Sequence, residues 1–86
     1  MKLKNGFVLR SMAGENVVIP SGEDLNLNMM ITLNDTGRFL WERLEKETTR
    51  AELISALLAN YEVDQATAEN AVDSFVANLE NHGFLA

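Results

Sequence analysis

The chain has 86 residues, 47% of them hydrophobic, no cysteine and a net charge of −6. That length makes one domain, residues 1–86, with too much apolar content for a disordered chain. The lack of cysteine excludes disulfides, thiolate metal sites and a cysteine nucleophile, and no apolar run nears the ~18–20 residues of a membrane span.

Met1 to Asn5 carry two lysines with no apolar stretch behind them of signal-peptide length, so the expected location is the cytoplasm. Gly6 to Met12 reads as a first strand, Ala13 to Asn16 as a hairpin turn, and β-branched Val17, Val18 and Ile19 as the returning strand. Pro20 cannot donate to a ladder and is expected to end that strand. Leu25 to Leu33 reads as a third strand. Its odd positions, Leu25, Leu27, Met29, Ile31 and Leu33, are all apolar, and its even positions are mostly polar. Met30 breaks the polar side, which makes it the expected exposed methionine.

The strand then runs directly into a helix from about Asp35 to Glu45. Asn34 is suited to cap it, and Asp35 places a negative charge at the positive end of the dipole. Leu40, Trp41 and Leu44 form its apolar face. Thr49 and Glu52 have capping-box spacing and open a second helix, with Leu53, Ile54, Leu57 and Leu58 on one face and an end near Tyr61. Asp64 caps a third helix whose stripe is Ala68, Ala71, Val72, Phe75, Val76 and Leu79. Gly83 is its C-cap, and Phe84 and Leu85 are expected to return to the core. The fold class is α+β: three N-terminal antiparallel strands followed by three helices, in a winged helix-turn-helix-like arrangement.

The chain is poorly equipped for catalysis. His82 is the single histidine and suits the negative end of a helix better than a triad. Glu69 and Asp73, four apart, read as a solvated face rather than a metal site, and no glycine-rich phosphate loop is present. Nucleic-acid binding is disfavoured by charge. All seven Lys and Arg lie at or before Arg50, and residues 51–86 carry six carboxylates and no cation. A protein or peptide surface remains. A small sheet leaves an edge that templates an added strand, and adjacent Met29 and Met30 are adaptable contact residues. The same edge would let two copies pair as a homodimer.

The run Ile31 to Trp41 (ITLNDTGRFLW) resembles the signature of the PqqD family, at Leu33, Asn34, Thr36, Gly37, Leu40 and Trp41. Thr49 to Leu53, Tyr61 to Asp64 and His82 to Leu85 are similar to the family's usual form, so the resemblance spans nearly the whole chain. It departs at Glu45-Lys46-Glu47, where many members have a glycine. The resemblance implies a non-catalytic protein without metal or other cofactor. Such a protein binds the leader of a ribosomally made precursor peptide and presents it to a modifying enzyme, often of radical-SAM type, as in pyrroloquinoline quinone (PQQ) biosynthesis. It further implies that the leader adds to the third strand against the third helix. On this chain that groove falls at Leu27, Asn28, Met29, Met30, Ile31 and Thr32, facing Val72, Phe75, Val76 and Leu79. The acidic face Glu69, Asp73 and Glu80 would favour a basic partner patch. A regulatory winged-helix domain for another protein partner is the alternative, and a DNA-binding winged helix a weaker one.

Overall fold

In the computed structural model, residues 1–20 and 30–86 are described, as three strands followed by three helices: β1 (Phe7–Met12), β2 (Glu15–Pro20), β3 (Ile31–Leu33), α1 (Asp35–Leu44), α2 (Arg50–Asn60) and α3 (Gln65–His82). The strands form one antiparallel sheet in the order β1-β2-β3. The α+β class and the element order are those read from the sequence. The expected third strand began at Leu25; Leu25 to Met29 lie outside the described residues, and the ladder with β2 covers Ile31 to Leu33.

The β1–β2 hairpin is tighter than expected. Met12 pairs with Glu15, so only Ala13 and Gly14 form the turn, with φ of 52° and 81°. Positive φ at both central residues is the geometry whose twist matches the flanking strands. Pro20 closes β2 as its last residue, opposite Phe7. The register lines up Leu9, Val18 and Ile31 across the three strands. This row faces the helices, where Val18 is fully buried and Leu9 and Ile31 pack against it.

Helix ends follow local chemistry. Asn34 accepts from the Gly37 N–H at 2.7 Å, and Asp64 from the Thr67 N–H at 2.7 Å. Gly83 ends α3 in the left-handed region at φ 76°. The capping box at α2 is half formed. Thr49 accepts from the Glu52 N–H at 3.2 Å, but the Glu52 carboxylate takes the Thr48 hydroxyl instead, also at 3.2 Å. Leu58 corrects the expected α2 face. Leu53, Ile54 and Leu57 are buried, while Leu58 is 37% exposed. At ~100° per residue it lies at the far margin of the stripe that the other three define. None of Glu45, Lys46 and Glu47 has positive φ, so this connection does not require the glycine common in the family.

The core lies between the sheet and the helices, with Leu40, Trp41 and Leu44 from α1, Leu53 and Leu57 from α2, and Val72 and Leu79 from α3. Phe84 returns to it as expected and is fully buried. Its ring meets Phe7 edge-on at 4.5 Å and Trp41 at 5.7 Å. Leu3 was not anticipated. It is 8% exposed and bridges to Leu85, while its N–H donates to the Leu44 carbonyl. The two ends of the chain are thereby tied to each other and to α1.

Candidate peptide-binding groove

β3 is an edge strand. It pairs with β2 on one side, and among the described residues no strand lies on the other. Its main-chain groups on that side are available to an added strand. Side chains alternate as the sequence pattern required. Met30 is 46% exposed and Thr32 exposed, whereas Ile31 is half-buried and Leu33 buried. Leu27, Asn28 and Met29, also expected in the groove, lie outside the described residues.

The strand enters α1 with no loop beyond Asn34, and this join brings α1 against α3. A Cβ placed on Gly37 would stand 3.1 Å from Asn34 Oδ1 and 3.3 Å from the Phe75 ring, so the close approach depends on glycine. Beside the join lies an open cavity of about 390 Å³, lined by Asn34, Gly37 and Leu40 on one side and Ala71, Phe75 and Asn78 on the other. A smaller, mostly apolar hollow of about 110 Å³ continues from it past Thr36 and Ala71 to Tyr61 and Val63.

The four expected α3 residues divide into two pairs. Val72 and Leu79 are completely buried and present no surface to a ligand; Phe75 and Val76 are half-buried and reach the surface. The concave wall is therefore rotated along α3, to Ala71, Ser74, Phe75 and Asn78. Asn34, Gly37, Ala71, Ser74 and Asn78 line this cavity and were not among the expected groove residues. The available signal was the i, i+3, i+4, i+7 spacing of Ala71, Ser74, Phe75 and Asn78, which places small and polar residues around one aromatic.

The acidic face of α3 is less negative than its sequence suggests. Arg50 Nε and Nη2 donate to the two carboxylate oxygens of Asp73, at 2.7 and 3.0 Å. These bonds hold the Asp73 carboxyl below the usual carboxylate range. Glu69 accepts from Gln65 at 3.4 Å. At the start of the helix, the bond from Thr67 likewise lowers the Asp64 pKa. His82 Nδ1 donates to the Asn78 carbonyl at 2.8 Å, and its ring stacks on Phe84. Among the described residues no three of His, Asp and Glu converge as metal ligands, and no helix is long and apolar enough to cross a membrane. The β3 edge offers main-chain hydrogen bonding, and the cavity at the end of that strand has an aromatic-centred wall; the pair suits an extended peptide.

Comparison with known proteins gives a consistent picture. The family described as coenzyme PQQ synthesis protein D (PqqD) matches residues 12–85. Among solved structures, TbiB1 in complex with the TbiA(beta) leader peptide is 27% identical, with a TM-score of 0.78 over 99% of this chain and 94% of that one. Lasso peptide synthetase B1 complexed with the leader peptide is 24% identical, with a TM-score of 0.73 over 96% of this chain and 93% of that one; at this identity the likeness supports the fold. No curated protein matches the chain.

Proposed function

The chain belongs to the PqqD family, and on that premise we propose that it is a non-catalytic recognition protein for the leader segment of a ribosomally made precursor peptide. The leader adds as a strand to the free edge of β3 and lays alternate side chains against Phe75, Val76 and the cavity at the β3–α1 join. Main-chain bonds along β3 supply affinity independent of sequence, and the wall selects register and side-chain size. Leu27, Asn28 and Met29 extend the same edge in this reading. The observation that supports it is a β3 edge that is unpaired among the described residues and runs into a join beside a cavity walled by half-buried Phe75, in a fold shared with a 27% identical chain, TbiB1, bound to a leader peptide.

The protein then delivers the leader to a cytoplasmic modifying enzyme, which the family resemblance assigns to the radical-SAM type, in PQQ or a related biosynthesis. DNA binding loses further support from the engagement of Arg50, the single cation of α2, by Asp73. A second copy pairing on β3 would compete with the leader, so peptide addition should shift any dimer to monomer.

The test is fluorescence anisotropy with labelled peptides made from short open reading frames beside the gene. One of them should bind, and Phe75→Ser should weaken it about tenfold or more, as loss of a central aromatic contact does. Met30→Pro should also weaken it, provided the variant keeps its circular dichroism spectrum. Undiminished affinity in both folded variants would reject this groove.

A further inference from the structure

The structure has a second sizeable concavity apart from the cavity beside β3. It lies between the N-terminal segment, β1 and α1, shares no lining residue with the cavity beside β3, and measures about 460 Å³. Four of the seven basic residues surround it, Lys2, Lys4, Arg10 and Arg38, against two carboxylates, Glu42 and Glu45. Arg38 is shared between Glu42 and Asn16, at 3.0 Å each. Lys2, Lys4 and Arg10 form no ion pair among the described residues. A cationic cleft in a chain of net charge −6 is a local reversal of sign, and it attracts what the rest of the surface repels.

The cleft has a second property. β1 is the other edge of the sheet, and among the described residues it pairs with β2 alone. Half-buried Phe7, Val8 and Leu9 line the cleft beside its cationic rim. Exposed main-chain groups, apolar patches and unpaired cations together match one kind of occupant: an extended segment that alternates acidic with apolar residues.

We propose that the β1–α1 cleft is a second docking site, which takes an extended acidic segment of a partner protein by strand addition to β1. β1 and β3 are separated by β2, about 10 Å apart at two strand spacings, so one edge holds a peptide while the other engages the partner. The proposal does not depend on what occupies β3.

The probe is a capped peptide of about seven residues alternating Asp or Glu with Leu or Val, with its Asn/Gln counterpart as control. Titrated into ¹⁵N-labelled protein, the acidic peptide should shift amides of residues 4–10 and the facing side of α1. The neutral counterpart should bind at least tenfold more weakly, as should the acidic peptide in about 0.5 M salt. The double variant Lys4→Glu/Arg10→Glu should lose the shifts while keeping a folded spectrum; Lys4→Gln/Arg10→Gln provides a milder reduction if the reversal unfolds the chain. Equal binding of the neutral peptide would overturn the proposal, and so would shifts confined to residues 30–33 and α3, or no shifts at millimolar peptide. Loss of the shifts in these variants does not bear on the leader groove, because every substituted residue lies outside it.

Discussion

Replacing Trp41 by alanine tests whether the core is built as described. Trp41 is 2% exposed, and its ring meets that of Phe84, which is itself fully buried. An aromatic of this kind removes some 150–250 Å² from water. At ~25 cal/mol per Å² that is roughly 4–6 kcal/mol, of which alanine recovers about 1. The expected loss is therefore about 3–5 kcal/mol, in line with large-to-small substitutions in other cores. A domain of this length has roughly 4–13 kcal/mol in total, so the variant should be marginal or partly unfolded. The assay is urea unfolding followed by far-ultraviolet circular dichroism, since the substitution removes the single tryptophan. The midpoint should fall by at least about 2 M. Trp41→Phe keeps a ring against Phe84 and should lose markedly less. A loss below about 1 kcal/mol in Trp41→Ala would refute the placement of this side chain and of Phe84 beneath it.

Three further outcomes are expected. Asn34→Ala removes the acceptor for the Gly37 N–H and should cost about 1 kcal/mol, seen as a melting point lower by ~4–8 °C; an unchanged melting point would contradict the cap. Ala13→Asn should stabilise by about 0.5–1 kcal/mol, because Ala13 holds φ 52° and Asn tolerates that region better in the Asn-Gly turn so created; a lower urea midpoint would argue against this turn. Asp73 and Asp64 have folded pKa values below their unfolded ones, so their contribution is complete above the unfolded value near 4 and is lost as pH falls through the lower folded values. Melting points measured from about pH 6 down to 2.5 should consequently fall more steeply in the wild type than in Asp73→Asn, and parallel curves would contradict the Arg50 pairing.

Much of this fold is written locally in the chain. The alternation through Ile31, Thr32 and Leu33, the caps at Asn34, Thr49 and Asp64, and the left-handed Gly83 each depend on residues within four positions of one another, and each appears as read. What escaped the sequence reading depends on distant partners. Leu3 sits alone between two lysines, so no periodicity marks it as core; only its bridge to Leu85 reveals it. Glu52 turned from the expected box because Thr48, one residue before the cap, offered a hydroxyl. Arg50 and Asp73 are 23 residues apart, and their pairing changes the charge of α3 in a way that counting carboxylates does not reveal. Along β3, the alternation read from the sequence appears in the burial of Met30 to Leu33, with Met30 and Thr32 exposed, Ile31 half-buried and Leu33 buried. On α3 the sequence reading named Val72 and Leu79, which fill the core, together with Phe75 and Val76, which reach the surface, because one apolar stripe carries both kinds of residue.

Whether a peptide joins the sheet at β3 can be read from NMR of the complex. ¹⁵N,¹³C-labelled protein would be titrated with the leader peptide that binds in the anisotropy assay, and intermolecular contacts recorded between main-chain protons. Strand addition predicts peptide Hα and amide contacts to Ile31, Thr32 and Leu33, slowed amide exchange along that edge, and side-chain contacts to Phe75 and Val76. A bound peptide with contacts only to other surfaces, or with β3 amides exchanging as fast as in the free protein, would contradict it.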